Sequence, residues 1–226
     1  MHSFFSNQEL QVKICGVKSA EDAIMAAQLG ANALGFNFYP PSKRFVSLDT
    51  AIAILSRLPG TPLARIAVVV NPSSAEIRFI LESHAFDAIQ FHGDEAPEFC
   101  LKSGSQIWIK AVRIGDFDQD VKVIRSFATP YILLDSGTNA VYGGSGIPID
   151  LSLAAQLVRA LPEKRFLLAG GLRSENVREA ALAVRPFAVD VASGVEHTPG
   201  RKDLSKMRAF IQATQSARAN VSNLRN

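Results

Sequence analysis

"VKICGVKSAEDA", residues 12–23, holds a complete strand–turn–helix start. A strand-length apolar run, Val12 to Cys15, meets a glycine, and a helix start follows. Ser19 with Asp22 predicts a capping box. Ala20, Ala23, Ile24, Ala27 and Ala31 then fall on one helical face. The strand carries Lys13 and ends on Cys15. A free cysteine is commonly a small core residue. At a strand end that opens onto a site it is a reactive group.

The same unit recurs along the chain. Further apolar runs of strand length are "ALGFNF" (33–38), "ARIAVVV" (64–70), "AIQFH" (88–92), "IWIKAVR" (107–113), "YILLD" (131–135), "FLLAG" (166–170) and "AVDVAS" (188–193), which makes eight with the first. Helical spacing lies between them, over 48–58, 95–103, 116–127, 150–161, 174–184 and 203–216, and Ser73 with Glu76 predicts a second capping box before "IRFILESH". Strand and helix alternate without a composition break, which predicts one α/β domain with parallel strands. A doubly wound sheet and a (β/α)8 TIM barrel both satisfy that pattern. Eight units in 226 residues favour the barrel. The first turn, "CGVKSAED", lacks GxGxxG, so a dinucleotide-binding wound sheet has no support. Residues 1–10, "MHSFFSNQEL", read as a short ragged extension, and the polar residues 217–226 read as a frayed end.

Composition excludes several classes. Hydrophobic residues at 47% and charged residues at 20% are ordinary for a globular core. The net charge is +3 with Lys and Arg scattered, so no nucleic-acid partner is expected. There is no signal peptide and no apolar run of membrane-spanning length, and the two cysteines form no CxxC, so the expected setting is a reducing cytoplasm.

Strand alternation turns scattered polar residues into a constellation. Side chains alternate between the helix-facing side and the barrel axis. With Val12 and Ile14 outward, Lys13 and Cys15 point inward. The same parity puts Gln90 and His92, Leu133 and Asp135, and Asp190 inside. Cys15, His92 and Asp135 are the last inward positions of their strands, at the C-terminal mouth where barrel active sites sit. Lys13 and Asp190 lie one layer lower on the first and last strands and are predicted to pair, since a lone buried charge is too costly. "AGG" (169–171) and "SGVE" (193–196) follow the seventh and eighth strands, where barrels bind phosphate through backbone N–H groups. "YGGSG" (142–146) reads as a lid, and "PPSKRFVS" (40–47) puts Arg44 near the mouth. Histidines 2, 84, 92 and 197 lack ligand spacing, so no metal site is expected. His92 has either a satisfied core role or, from its mouth position, a role in the site.

"KICG", "ALGFNFYPPSKRFVS", "QFHGDE", "LLDS" with "GGSG", "LAGGL" and "VDVASGVE", in order from about residue 12 to 215, resemble phosphoribosylanthranilate isomerases. The resemblance implies a (β/α)8 barrel of tryptophan biosynthesis. Such an enzyme converts N-(5-phosphoribosyl)anthranilate to 1-(2-carboxyphenylamino)-1-deoxyribulose 5-phosphate by an Amadori rearrangement, without cofactor or metal, as a monomer or homodimer. It implies Cys15 as general base and Asp135 as general acid. Arg44 would meet the anthranilate carboxylate, and Gly171, Ser193 and Gly194 would grip phosphate. Apart from the resemblance, the mouth position of His92 predicts that it borders the substrate. The chain departs from the family pattern at Ile149-Asp150-Leu151, where an aromatic and a Trp are usual, and at Ala192, where Ser is common.

The chemistry sets two electrostatic expectations. Ring opening needs a protonated acid, so desolvation is expected to raise Asp135. Abstraction at C2 needs a thiolate, which Lys13 or a substrate cation would favour. Three other functions compete with this one. A dual-substrate barrel isomerase that also serves histidine biosynthesis has an aspartate in place of Cys15. Indole-glycerol-phosphate synthase needs a catalytic lysine, for which Lys110 is the candidate, and a longer N-terminal extension. A non-catalytic barrel binding a phosphorylated ligand has no need of both Cys15 and Asp135.

Overall fold

Alternation divides each strand between two apolar layers. Val12, Ile14, Leu34, Phe36, Ile89, Phe91, Ile132, Leu134, Val189 and Val191 face the helices, and all are buried. Ala33, Ala64, Ile66, Ala88, Ile109, Leu133, Leu167 and Ala188 fill the axis. A sheet buried on both faces must close or be covered twice. Here it closes. The computed structural model describes residues 3–58, 60, 62–104, 106–136 and 148–223. Its parallel strands β1 (Gln11–Cys15), β2 (Ala33–Asn37), β3 (Ala64–Val69), β4 (Ala88–Phe91), β5 (Ile107–Arg113), β6 (Tyr131–Asp135), β7 (Arg165–Leu168) and β8 (Ala188–Val191) form a closed barrel in sequence order.

Helices follow the strands on the outside. After a short N-terminal helix α1 (Ser3–Ser6), they are α2 (Ala20–Gln28), α3 (Leu48–Leu55), α4 (Ser74–Glu82), α5 (Pro97–Cys100), α6 (Phe117–Ser126), α7 (Leu151–Ala160), α8 (Val177–Val184) and α9 (Leu204–Asn223). The expected helix over 95–103 splits into α5 and a 3-10 turn, Leu101–Ser103. Ser73 and Glu76 make the full capping box. Ser19 accepts from the Asp22 N–H, whereas the Asp22 carboxylate turns to the Lys202 N–H, so the first box is half made. Asp150 caps α7, so the departure at Ile149-Asp150-Leu151 is a helix start. No described helix is long and apolar enough to cross a membrane. The expected lid, residues 142–146, lies outside the described residues.

Both chain ends differ from the sequence expectation. Phe4 and Phe5 are 1% and 0% exposed and stack edge-on with Phe187 and Tyr131. Arg165 donates to the Phe5 and Asn7 carbonyls and lies over the Phe187 ring. The N-terminal turn therefore closes the barrel floor with aromatic side chains, whose burial outweighs their polar neighbours. Ala217 is buried within α9, which continues to Asn223 instead of fraying from 217.

The seam joins β1 to β8 with Lys13 opposite Asp190. Lys13 Nζ donates to Asp190 Oδ1 at 2.9 Å, at 0% and 7% side-chain exposure. The expected pair is present, and it ties the barrel shut below the mouth.

Phe5→Ala removes a ring from the closed floor. We expect a loss of about 3–5 kcal/mol in urea-unfolding stability, with KM unchanged.

Candidate active site

Strand ends deliver the expected side chains to one hollow. Cys15, Arg44, His92, Asp135, Gly171 and Ser193 line a cavity at the C-terminal mouth. Gly194 lies beside Gly171 and Ser193 in an adjoining hollow with Arg173 and Lys206. The two glycine turns converge there, and two cations border them. A βα turn followed by the single 3-10 turn Ser193–Val195 suits an anion. Gly194 also has a packing reason to be glycine, since a Cβ would lie 2.0 Å from the Leu172 carbonyl oxygen.

Asp135 ends β6 at 5% exposure. His92, one residue beyond β4, donates from Nε2 to Asp135 Oδ2 at 3.1 Å. Gln90, fully buried one inward step below, donates from Nε2 to His92 Nδ1 at 2.8 Å. The Ser136 N–H donates to Asp135 Oδ1 at 2.8 Å. Burial alone would raise this carboxyl. The His92 hydrogen bond, the Ser136 N–H and the Arg113 charge outweigh it, and Asp135 sits below its ordinary value. The expectation of a raised Asp135 is corrected: desolvation is present, but it loses to donors at the ends of β4 and β6 and to the Arg113 charge on β5.

Cys15 feels both the burial and the Lys13 charge. Its burial is the largest influence and raises the thiol; Lys13 and Lys202 pull it down, Asp190 pushes it up, and the thiol ends above its ordinary 9.0. Lys13 favours the thiolate but does not overcome burial. Room for the sulfur comes from Gly35 on β2. A Cβ there would sit 2.8 Å from Cys15 Sγ and 3.1 Å from Lys13 Nζ. Any larger residue would push both groups aside.

Arg44 reaches the cavity held from behind. Its Nε and Nη2 donate to Glu196 Oε1 and Oε2, each at 2.8 Å. Lys202, 4% exposed, donates to the same carboxylate at 3.0 Å and to the carbonyls of Cys15 and Ala192. Burial alone would raise Glu196, yet Arg44 and Lys202 hold it below its ordinary value. The bidentate grip fixes the guanidinium plane. Among the described residues nothing bonds the Nη1 edge.

The N-(5'-phosphoribosyl)anthranilate (PRA) isomerase model matches residues 12–213. The chain belongs to that family. N-(5'-phosphoribosyl)anthranilate isomerase of Pseudomonas putida strain GB-1 is 42% identical over 206 residues, covering 91% of this chain and 97% of the relative. The Myxococcus xanthus enzyme is 43% identical over 213 residues, covering 92% and 97%. The phosphoribosyl anthranilate isomerase structure from Thermotoga maritima superposes at a TM-score of 0.80, with 38% identity over 92% of this chain and 99% of that one. A phosphoribosyl anthranilate isomerase solved with reduced 1-(o-carboxyphenylamino)-1-deoxyribulose 5-phosphate superposes at 0.78, with 36% identity and the same coverage.

Reading the sequence as an isomerase of this family missed Glu196 and Lys202. Glu196 closes the quoted "VDVASGVE", and its glycine neighbours drew the attention. Lys202 had no signal. It reaches the site through the hairpin of β9 (Glu196–Thr198) and β10 (Arg201–Lys202), which no strand pattern announced. Among the described residues no cluster suits a metal ion.

A raised thiol reacts only when ionised. Alkylation of Cys15 by iodoacetamide, read by mass spectrometry, is expected to accelerate only above pH 9 in the ligand-free protein. Cys100, at 0% exposure and pushed up to about 12, should stay unmodified. Rapid Cys15 alkylation at pH 7 would contradict the electrostatics described.

Proposed function

We infer that this chain isomerises N-(5-phosphoribosyl)anthranilate to 1-(2-carboxyphenylamino)-1-deoxyribulose 5-phosphate, the Amadori step of tryptophan biosynthesis, with Asp135 as acid and Cys15 as base. The observation that carries this reading is a carboxyl and a thiol in one cavity, on strands three places apart around the ring, beside a guanidinium and two glycine-bearing turns.

The phosphate sits against the turns at Gly171 and Ser193–Gly194, with Arg173 and Lys206 at its border. Its binding energy holds a small sugar in register. The free edge of Arg44 meets the anthranilate carboxylate through a planar fork that a lysine cannot copy. Both anchors leave the ribose between Asp135 and Cys15.

Asp135 protonates the ring oxygen. The C1–O bond breaks with its electrons on oxygen, and the nitrogen lone pair forms the iminium. That cation joins Lys13 in favouring the Cys15 thiolate, which burial suppresses in the free protein and which forms by loss of the thiol proton to solvent at the mouth. The base therefore becomes active when the intermediate that needs it is present. Cys15 takes the C2 proton and leaves an enolamine. Ketonisation adds a proton at C1 and removes one from the C2 hydroxyl. The chain works as a monomer or homodimer and needs no nucleic acid. The two unpaired buried thiols suit a reducing cytoplasm.

The experiment follows anthranilate fluorescence as freshly made phosphoribosyl adduct is consumed. Cys15→Ser and Asp135→Asn should each lower kcat by about a hundred- to ten-thousandfold, with circular dichroism unchanged. A wild-type protein that binds the adduct without turning it over would replace the isomerase with a binding module.

Arg44→Ala should raise KM more than it lowers kcat, because it removes a contact made in both ground and transition states. An unchanged KM would remove Arg44 from the substrate.

A further inference from the structure

The acid proposed above must carry a proton, yet the structure surrounds Asp135 with donors. His92 and Ser136 both give it hydrogen bonds, and Arg113 adds positive charge. A carboxylate so placed is a poor reservoir for the proton it has to deliver. The missing proton must sit next door.

His92 is the group in contact. Its Nε2 faces a carboxylate oxygen, so Nε2 carries hydrogen and a neutral ring is bare at Nδ1. The Gln90 amide N–H fills that position at 2.8 Å. Gln90 is 0% exposed, and its Oε1 has no hydrogen-bond partner among the described residues. A buried carbonyl without a donor is costly and calls for a reason. An amide has a donor and an acceptor related by half a turn about its last bond. Turned once, Gln90 offers Oε1 to an Nδ1–H instead. The one described bond it breaks is the one it replaces.

We propose that Gln90 is a positioning residue whose amide turns to accept Nδ1–H, so that His92 holds the second proton of an imidazolium–carboxylate pair and supplies Asp135 with the proton it delivers. The proposal rests on the assignment of Asp135 as acid.

The protons balance. In the loaded site His92 carries hydrogen on both nitrogens, with Nδ1–H on Gln90 Oε1. The Nε2 proton passes to Asp135 Oδ2 and on to the ring oxygen, whose bond to C1 breaks. A bare Nε2 then faces a carboxylate, two acceptors in contact. That repulsion favours recapture of a proton from the C2 hydroxyl during ketonisation, while the proton Cys15 took from C2 is returned to C1. The protein ends the turnover with the protons it began with.

Most of the surrounding charges are already paired, and Cys15 is the other group whose charge changes during turnover. On β1 and β8, Lys13 and Asp190 neutralise each other. Arg44 and Lys202 share Glu196, Lys110 on β5 is matched by Glu95, and Arg113 by Asp94. Cys15 across the mouth is a thiol in the free protein. Residues 137–147 contain no Asp, Glu, Lys, Arg or His.

The test compares Gln90→Met, which has neither amide group, with Gln90→Glu, which has acceptors only. Gln90→Met should lower kcat about ten- to a hundredfold with KM within about twofold, as expected for loss of one hydrogen bond to a charged group. Gln90→Glu should retain turnover and move the alkaline limb of kcat to higher pH. Imidazole 15N spectra, assigned against His92→Asn, should show a bare Nδ1 in the wild type at high pH and a protonated Nδ1 at low pH. In Gln90→Glu the protonated form should persist to higher pH. Unchanged kcat profiles in both variants, or an Nδ1–H tautomer in the wild type at high pH, would overturn the proposal. Should Gln90→Met not fold, the Gln90→Glu profile and the spectra decide it. Full activity of Asp135→Asn would instead overturn the acid assignment, and the spectra would still report whether Gln90 governs the His92 tautomer.

Discussion

Lys13 and Asp190 meet across the only seam that joins the ends of the sheet. Burying an ammonium and a carboxylate costs more than their attraction returns unless the geometry is close and both are otherwise surrounded. Here burial alone would lower Lys13, yet Asp190 and then Cys15 keep it raised and charged. The pair is therefore bound to the closed register. A one-residue slip of either strand would send its charge to the helix face and leave the other unpaired. Cys15 lies two residues beyond Lys13, and Ser193 lies three beyond Asp190, so the same register carries the thiol and one phosphate turn to the mouth.

A second charged assembly hangs from that seam. Lys202 ties the Cys15 and Ala192 carbonyls at the ends of β1 and β8 to Glu196, and Glu196 grips Arg44. The proposed base, the proposed phosphate turn and the proposed carboxylate anchor thus share one lysine. Burial lowers Lys202, which marks how far it has been taken from water for this purpose. The small Gly35 leaves the sulfur and Lys13 space above the sheet. The mouth is shaped from below by charge pairs and from behind by hydrogen bonds.

Much of this was legible in the chain. Period-two alternation in "VKIC", "AIQFH" and "YILLD" assigned Cys15, His92 and Asp135 to the axis, because strand geometry allows two faces and the apolar set claims one. The Lys13–Asp190 pair followed from eightfold closure. Glu76 announced its capping box. Other features were not legible. "MHSFFSNQEL" looks polar in a row, but two phenylalanines have the barrel floor to fill, and a hole is not a local property of sequence. Asp22 has the spacing of a capping box and a long-range backbone partner that takes it away.

What the chain determined by itself was the periodicity: eight strands, the helices between them, the inward parity of the polar residues and the family to which their motifs belong. Electrostatic state was decided by the tertiary structure alone. For Asp135 the folded neighbours outweigh desolvation, and for Cys15 burial outweighs Lys13. A charged group's preference depends on every donor and charge within several ångströms. Those neighbours come from strands far apart in sequence, so only the folded chain brings them to the same place.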